Sequence, residues 1–246
     1  MSQQSSIAVL ISLLLVLLIA CKTSGPGIFG KKTPHEQYGD GLINAGLRST
    51  ALGESWFRIS EQSLAFPLTI TVPYKETGYF PADRPAAAGL RFNAVRGQKL
   101  SIALEKKPTT NFAVYIDLWK VSEGTKLKHI ASADTTTNSI QHEVSESAYY
   151  ILRLQPELLS SGEYSLTIAV GPALAYPIIA PGKDHIKSLW GTDRDGGARK
   201  HEGIDIFAAR RTPAVAAAHG RVTRVDETSI GGKVIWVRVK DRDYTL

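Results

Sequence analysis

Large apolar side chains alternate with smaller or polar ones along residues 62–172. The alternating sets are Leu64/Phe66/Leu68/Ile70/Val72, Leu90/Phe92/Ala94, Leu100/Ile102/Leu104, Val114/Ile116/Leu118, Tyr150/Leu152/Leu154 and Tyr164/Leu166/Ile168/Val170. A period of two places such side chains on one face of a β-strand, and turn signals such as Arg96-Gly97-Gln98 separate the runs. Because each strand has one apolar face, two sheets must stack to bury these faces. The pattern predicts an all-β chain with a β-sandwich over residues 62–172.

An apolar run at residues 7–20 precedes this region. It is shorter than the roughly 20 residues that a membrane-spanning helix needs, so it predicts a signal peptide at residues 1–20. Leu18-Ile19-Ala20-Cys21 resembles the lipobox of bacterial lipoproteins. The resemblance implies that Cys21 is lipidated and anchors the protein to a membrane of the cell envelope, on the periplasmic side or at the cell surface. An ordinary secretory signal is the alternative.

Glycine and proline mark the less regular parts of the chain. Residues 21–61 are predicted to be a tether and an irregular segment, since Gly and Pro are frequent at 22–37 and glycines interrupt the apolar spacing at 38–60. His35 is expected to be a solvated loop histidine. Residues 173–187 form a predicted linker that leads to a last unit at 188–246.

The charge of the chain restricts its partners. It carries 29 Lys and Arg residues against 23 Asp and Glu residues, a net charge of +6. This excess favours anionic polymers and membrane surfaces. The basic residues are dispersed and form no nucleic-acid motif, so no nucleic-acid partner is expected. A single Cys cannot form an intrachain disulfide.

His201 and Asp205 are the most specific chemical signal. They stand four positions apart, and Gly203 between them opposes a helix. On a strand, even spacing places both side chains on one face, while Ile204 and Ile206 enter the core. A converging imidazole and carboxylate supply two of the three protein ligands of a catalytic zinc site.

Trp190-Gly191 and residues 194–197, 199–206 and 212–222 together resemble the opening half of the lysostaphin/LytM-like zinc metallopeptidases. The resemblance implies a partial β-rich LytM-like peptidase domain at 188–246. It also implies zinc bound by His201 and Asp205, Arg199 in a cleft wall, and hydrolysis of peptide bonds in peptidoglycan. His185 and His219 are expected to be non-ligands.

The family also carries an aromatic-x-His-Leu segment and an H-x-H motif, and this chain has no His after His219. The resemblance therefore places none of the family's catalytic residues in this chain. We expect a zinc-dependent peptidoglycan endopeptidase that is incomplete and inactive as this chain.

Two alternatives to an enzyme stay open. One is a non-catalytic LytM-like module that binds or activates in the envelope, and the other is a β-sandwich lipoprotein that binds wall carbohydrate. Residues 149–154 and 161–168 resemble bacterial pre-peptidase sandwiches, for which a wall-binding module and a rigid spacer are both possible roles. Trp119 and the Tyr149-Tyr150 pair could stack on sugars, although strand aromatics more often pack in the core.

Overall fold

Two stacked sheets form the centre of the protein, as the alternating pattern predicts. The computed structural model describes residues 32–122, 126–179, 185–229 and 231–239. The strands are β1 (Leu68–Thr69), β2 (Tyr74–Phe80), β3 (Ala88–Ala94), β4 (Gln98–Lys107), β5 (Val114–Val121), β6 (Leu127–Ser132), β7 (Ser139–Glu143), β8 (Ala148–Pro156) and β9 (Gly162–Pro172). One sheet has the order β1-β3-β8-β5-β6 and the other has the order β2-β9-β4-β7. Apart from the parallel β1–β3 pair, neighbouring strands are antiparallel.

The core lies between the inner faces of the two sheets. Except for Val170, which is only partly buried against it, the core contains the predicted apolar positions of five strands, namely Leu90, Phe92, Ala94, Leu100, Ile102, Leu104, Val114, Ile116, Leu118, Tyr150, Leu152, Leu154, Tyr164, Leu166 and Ile168. Each of these side chains is buried. The β-sandwich and the inward-facing set on these strands are therefore confirmed.

The first alternating run forms a strand only in part, although its Ile70 and Val72 pack, partly buried, against the sandwich core as predicted. A helix continues to Ala65, and only Leu68–Thr69 of that run forms a strand, at the edge of the five-stranded sheet. Phe66 and Leu68 are exposed. The apolar alternation over so few residues did not distinguish a helix end from a strand.

Two helices occupy the described part of the segment for which the sequence predicts a tether and irregular structure. Helix α1 spans Pro34–Asn44, and Thr33 caps it through a reciprocal capping box with Glu36. Helix α2 spans Ala51–Ala65 with Thr50 at its N-cap, so the predicted boundary at residue 62 falls inside a helix. The buried face of α2 consists of Gly53, Trp56, Ser60 and Ser63, a mostly small and polar set that apolar periodicity does not reveal.

Helices α1 and α2 pack against the outer face of the five-stranded sheet. An added Cβ at Gly89 of β3 would lie 1.7 Å from the carbonyl oxygen of Ser63, so glycine permits this close approach. The indole Nε1 of the fully buried Trp56 donates a hydrogen bond to the carbonyl of Pro156 at 3.0 Å. The packing therefore joins the start of the described chain to strand β8.

A buried polar cluster fills this helix–sheet contact. Arg153 donates to Asp117 Oδ2, with its terminal nitrogen at 2.5 Å, and to Ser60 Oγ at 2.8 Å. His35 Nε2 lies 2.6 Å from Gln155 Oε1. All five residues are buried. Hydrogen bonds within the cluster offset the cost of removing these polar groups from water.

His35 is therefore a buried residue and not the solvated loop histidine that was expected. Its ring stacks on Trp56 with centroids 4.6 Å apart. Burial, followed by the positive charge of Arg153, lowers the pKa of His35 to about 4. The imidazole of His35 is therefore neutral at pH 7 where it stacks on Trp56 of α2.

Six further strands lie in the described C-terminal part of the chain. They are β10 (Ile186–Ser188), β11 (Asp193–Arg194), β12 (Arg199–Lys200), β13 (Asp205–Ile206), β14 (Gly220–Thr228) and β15 (Gly232–Val239). The pairs β10–β13, β11–β12 and β14–β15 are each antiparallel. In the predicted linker, Ile178 pairs with Ala214, and Ala175 N donates to the carbonyl of Ala217. The described part of the linker thus runs alongside residues 214–217.

The β14–β15 hairpin exposes apolar side chains. Val225 and Ile235 are directly opposite in the register, and they are 71% and 63% exposed. This differs from the sandwich, where directly opposed apolar pairs such as Leu90 and Leu152 are buried.

The predicted signal peptide and Cys21 lie outside the described residues. Within the described residues, no helix has the length and hydropathy needed to cross a membrane.

Candidate functional site

His201 is held by its backbone and by its ring. Its amide donates to the carbonyl of Thr192 at 2.8 Å, and its own carbonyl accepts from Gly191 N at 2.7 Å. The ring Nδ1 lies 3.2 Å from the carbonyl oxygen of Leu189 and 3.1 Å from Ser188 Oγ. A carbonyl oxygen can only accept, so the Leu189 contact is satisfied when Nδ1 carries the hydrogen. In the neutral ring, this tautomer leaves the Nε2 lone pair free to accept or to bind a metal.

Asp205 faces the other ring nitrogen. It lies on β13, where it pairs with Ser188 of β10, and its Oδ1 is 3.3 Å from His201 Nε2. Arg194 of β11 donates to Asp205 Oδ2 at 2.5 Å and to Ser188 Oγ at 2.9 Å. The carboxylate therefore lies between an imidazole and a guanidinium.

The structure brings His201 and Asp205 together, but not on one strand. His201 follows β12, Asp205 begins β13, and the chain bends at Gly203 between them. Ile204 was expected in the core and is instead 47% exposed. The bend removes the strict alternation on which that expectation rested.

The distance between the His201 and Asp205 side chains suits two of the four ligands of a zinc ion. Two ligands of a tetrahedral zinc with bonds of about 2.0–2.1 Å lie roughly 3.3 Å apart, which matches the separation of Nε2 and Oδ1. Zinc-binding histidines commonly donate a hydrogen bond from the ring nitrogen that does not bind the metal. The contact of His201 Nδ1 with the Leu189 carbonyl is of this kind. Among the described residues, no set of three or more His, Cys, Asp and Glu side chains could hold a metal, so neither His185 nor His219 joins the pair in such a set.

Arg194 and Ser188 complete the arrangement and had no assigned role in the sequence. Both depend on strand pairing: β10 places Ser188 against β13, and β11 places Arg194 near it. No spacing rule links these two residues to Asp205, which explains why the sequence did not identify them.

Arg199 lies at the surface of the β11–β12 hairpin. Its Nε donates to Asp195 Oδ2 at 3.1 Å, and both side chains are more than half exposed. Its predicted place in a cleft wall stays a prediction.

No family model matches the chain, and no curated protein matches it. Among solved structures, the chain is similar to the pre-peptidase C-terminal domain of a collagenase from Bacillus anthracis, with 15% identity and a TM-score of 0.34, covering 41% of this chain and 91% of that chain. It is also similar to PliG of Aeromonas hydrophila, a periplasmic inhibitor of g-type lysozyme, with 14% identity and a TM-score of 0.31, covering 42% of this chain and 96% of that chain.

A third similar structure is the Yersinia pseudotuberculosis-derived mitogen, with 16% identity and a TM-score of 0.32, covering 39% of this chain and 83% of that chain. At these scores, the assignment of a β-sandwich rests on the sheets and core of the protein itself.

Proposed function

We propose that this protein is a cell-envelope protein that binds peptidoglycan without hydrolysing it. One observation supports the absence of hydrolysis: a terminal nitrogen of Arg194 lies 2.5 Å from Asp205 Oδ2, so the guanidinium already neutralises this carboxylate. A guanidinium in this position satisfies the carboxylate without a metal, and its positive charge opposes a cation at the same site. The LytM-like segment then serves as a binding module with no cleavage chemistry of its own.

Envelope location is part of the same proposal. A lipidated Cys21 would hold the β-sandwich at a membrane surface, and the net charge of +6 favours the anionic polymers of the wall. Neither the lipid anchor nor the net charge selects a particular bond or sugar. The experiments below therefore use variants of His201 and Arg194.

A second candidate function is zinc-dependent peptidoglycan endopeptidase. It is favoured by the separation of His201 Nε2 and Asp205 Oδ1, which matches a pair of zinc ligands. A bound zinc would supply an acidic water and polarise the scissile carbonyl. Within the chain, His201 and Asp205 would hold the ion, and Arg194 would keep the carboxylate oriented through its second oxygen.

One set of assays separates the two candidates. The protein is incubated with dye-labelled sacculi with and without added Zn²⁺, and both the pelleted protein and the released dye are measured. The binding proposal expects the protein in the pellet and no dye release under either condition. Zinc-dependent dye release that His201→Ala abolishes would refute it and establish the endopeptidase.

Arg194→Gln is the matched variant for the electrostatic argument. Removing the guanidinium should raise the affinity of the His201–Asp205 pair for Zn²⁺, as measured by calorimetric titration with the metal alone. Equal zinc affinity in the wild-type protein and Arg194→Gln would show that the guanidinium does not oppose zinc binding, and it would contradict the electrostatic argument for the binding proposal.

A further inference from the structure

Helices α1 and α2 cover only part of the outer face of the five-stranded sheet. Beside the covered residues, an outward row crosses four strands through the register partners Arg91, Ile151, Trp119 and His129. Ile151 is buried, whereas Arg91, Trp119 and His129 are half-buried. Because neighbouring strands lie about 4.8 Å apart, this row is about 14 Å long. We call Arg91, Trp119 and His129, together with the exposed Asn93 and Tyr149 in the adjacent row, the uncovered face.

Aromatic and cationic side chains are ordered against each other on this face. The guanidinium of Arg91 lies 4.1 Å from the ring centroid of Tyr149, and Tyr149 remains 46% exposed. Asn93 is the register partner of Tyr149 and is also exposed. The cation–π contact holds an exposed ring in place, so a ligand that stacks on it loses less side-chain freedom on binding.

Trp119 and His129 form the second ordered pair. Their ring centroids lie 5.0 Å apart in an edge-to-face arrangement. His129 Nε2 lies 2.9 Å from Ser132 Oγ, and this hydroxyl donates to the buried Asp117 at 2.6 Å. The hydrogen-bonded chain connects the uncovered face to the polar cluster beneath the helices and fixes the position of His129.

The indole Nε1–H of Trp119 is buried and has no acceptor among the described residues. An unsatisfied buried donor costs about 1–3 kcal/mol in the folded state.

We propose that the uncovered face binds the glycan strand of peptidoglycan. This inference rests on the proposed function and names the surface that carries it out. A pyranose ring presents C–H groups on its face, which suit Tyr149, and hydroxyl and N-acetyl groups at its rim. Arg91 and Asn93 provide donors for those rim oxygens. The row spans about 14 Å, a length that suits an extended oligosaccharide more than a compact ligand.

The test measures binding of the full chain to sacculi by co-sedimentation, with Tyr149→Ala and Arg91→Ala as the variants. We expect Tyr149→Ala to weaken binding about tenfold, as the loss of one well-packed aromatic contact would. Tyr79→Ala is the matched control, since Tyr79 is 61% exposed on β2 of the other sheet. Its binding should equal that of the wild-type protein, and circular dichroism verifies that each variant is folded.

Competition distinguishes the glycan from the peptide part of the wall. Soluble N-acetylglucosamine oligosaccharides should displace the protein from sacculi, and free stem peptides should not. Displacement by stem peptides alone would overturn the inference. Wild-type-like binding by both Tyr149→Ala and Arg91→Ala would also overturn it while the proposed function stands. Failure of the wild-type protein to bind sacculi would instead refute the proposed function.

Discussion

His35 makes the stability of the helix–sheet contact depend on pH. Its pKa is about 4 in the folded protein against 6.5 for a free histidine, a difference of 6.5 − 4 = 2.5 units. At about 1.36 kcal/mol per unit, protonation costs the folded state at most about 3.4 kcal/mol. Because the folded pKa is the lower one, the unfolded chain binds more protons in this range. The contribution is fully present above pH 6.5 and is lost as the pH falls from 6.5 towards 4.

The magnitude at a convenient pH follows from the same two pKa values. Between pH 7.5 and pH 5, the wild-type protein should lose about 2 kcal/mol of unfolding free energy through His35 alone. His35→Gln has no titratable group at this position and retains an amide donor for Gln155. Its unfolding free energy should therefore fall by about 2 kcal/mol less over the same interval.

Urea unfolding followed by far-ultraviolet circular dichroism at pH 7.5, 6 and 5 measures both proteins. The two chains differ in one titratable group, so the difference between their pH dependences reports on His35 and its interactions. Parallel pH dependences in the wild-type protein and His35→Gln would show that the imidazole is not buried in its neutral form, and the reasoning would fail.

Three further predictions concern packing, charge and anchoring. Gly89→Ala should destabilise the fold by about 1–3 kcal/mol in urea unfolding, because the new methyl group collides with the α2 backbone, whereas Gly171→Ala, with open space around its Cβ position, should be nearly neutral. Asp117→Asn should cost about 3–5 kcal/mol by leaving a buried guanidinium without its counter-ion, while Glu146→Gln, which breaks an exposed ion pair, should cost less than about 1 kcal/mol in the same assay. Cys21→Ser should move the protein from the membrane to the soluble fraction, and unchanged fractionation with an unlipidated Cys21 in mass spectra would contradict the anchor.

The predictable part of the fold is the part in which burial follows a simple period. Leu100, Ile102 and Leu104 alternate along β4 and are all buried, because each strand has one face against the core. The helices were missed because their buried faces carry His35, Ser60 and other polar or small residues, whose burial depends on partners more than 90 residues away. The capping box of Thr33 and Glu36 was the local signal for α1.

The candidate site was predictable to a similar degree. The spacing predicted that His201 and Asp205 share one face of a strand. Their side chains do lie 3.3 Å apart, but the bend at Gly203, and not a shared strand, brings them together. The spacing could not indicate Arg194, which reaches Asp205 only through the pairing of separate short strands. The His201–Asp205 motif contains only residues that are close in sequence. The positive charge next to Asp205 comes from Arg194, on a different strand.

The docking of α1 and α2 has a consequence for the order of folding. The contacts of His35 and Trp56 with β8 join residues that are 120 and 100 positions apart. Closing such long loops comes late, and chains dominated by distant contacts fold slowly. During synthesis or export from the N-terminus, both helices therefore emerge well before their binding surface exists. Helices α1 and α2 can dock only after β8 has formed. Until then Trp56 is exposed and can bind a chaperone that recognises aromatic side chains.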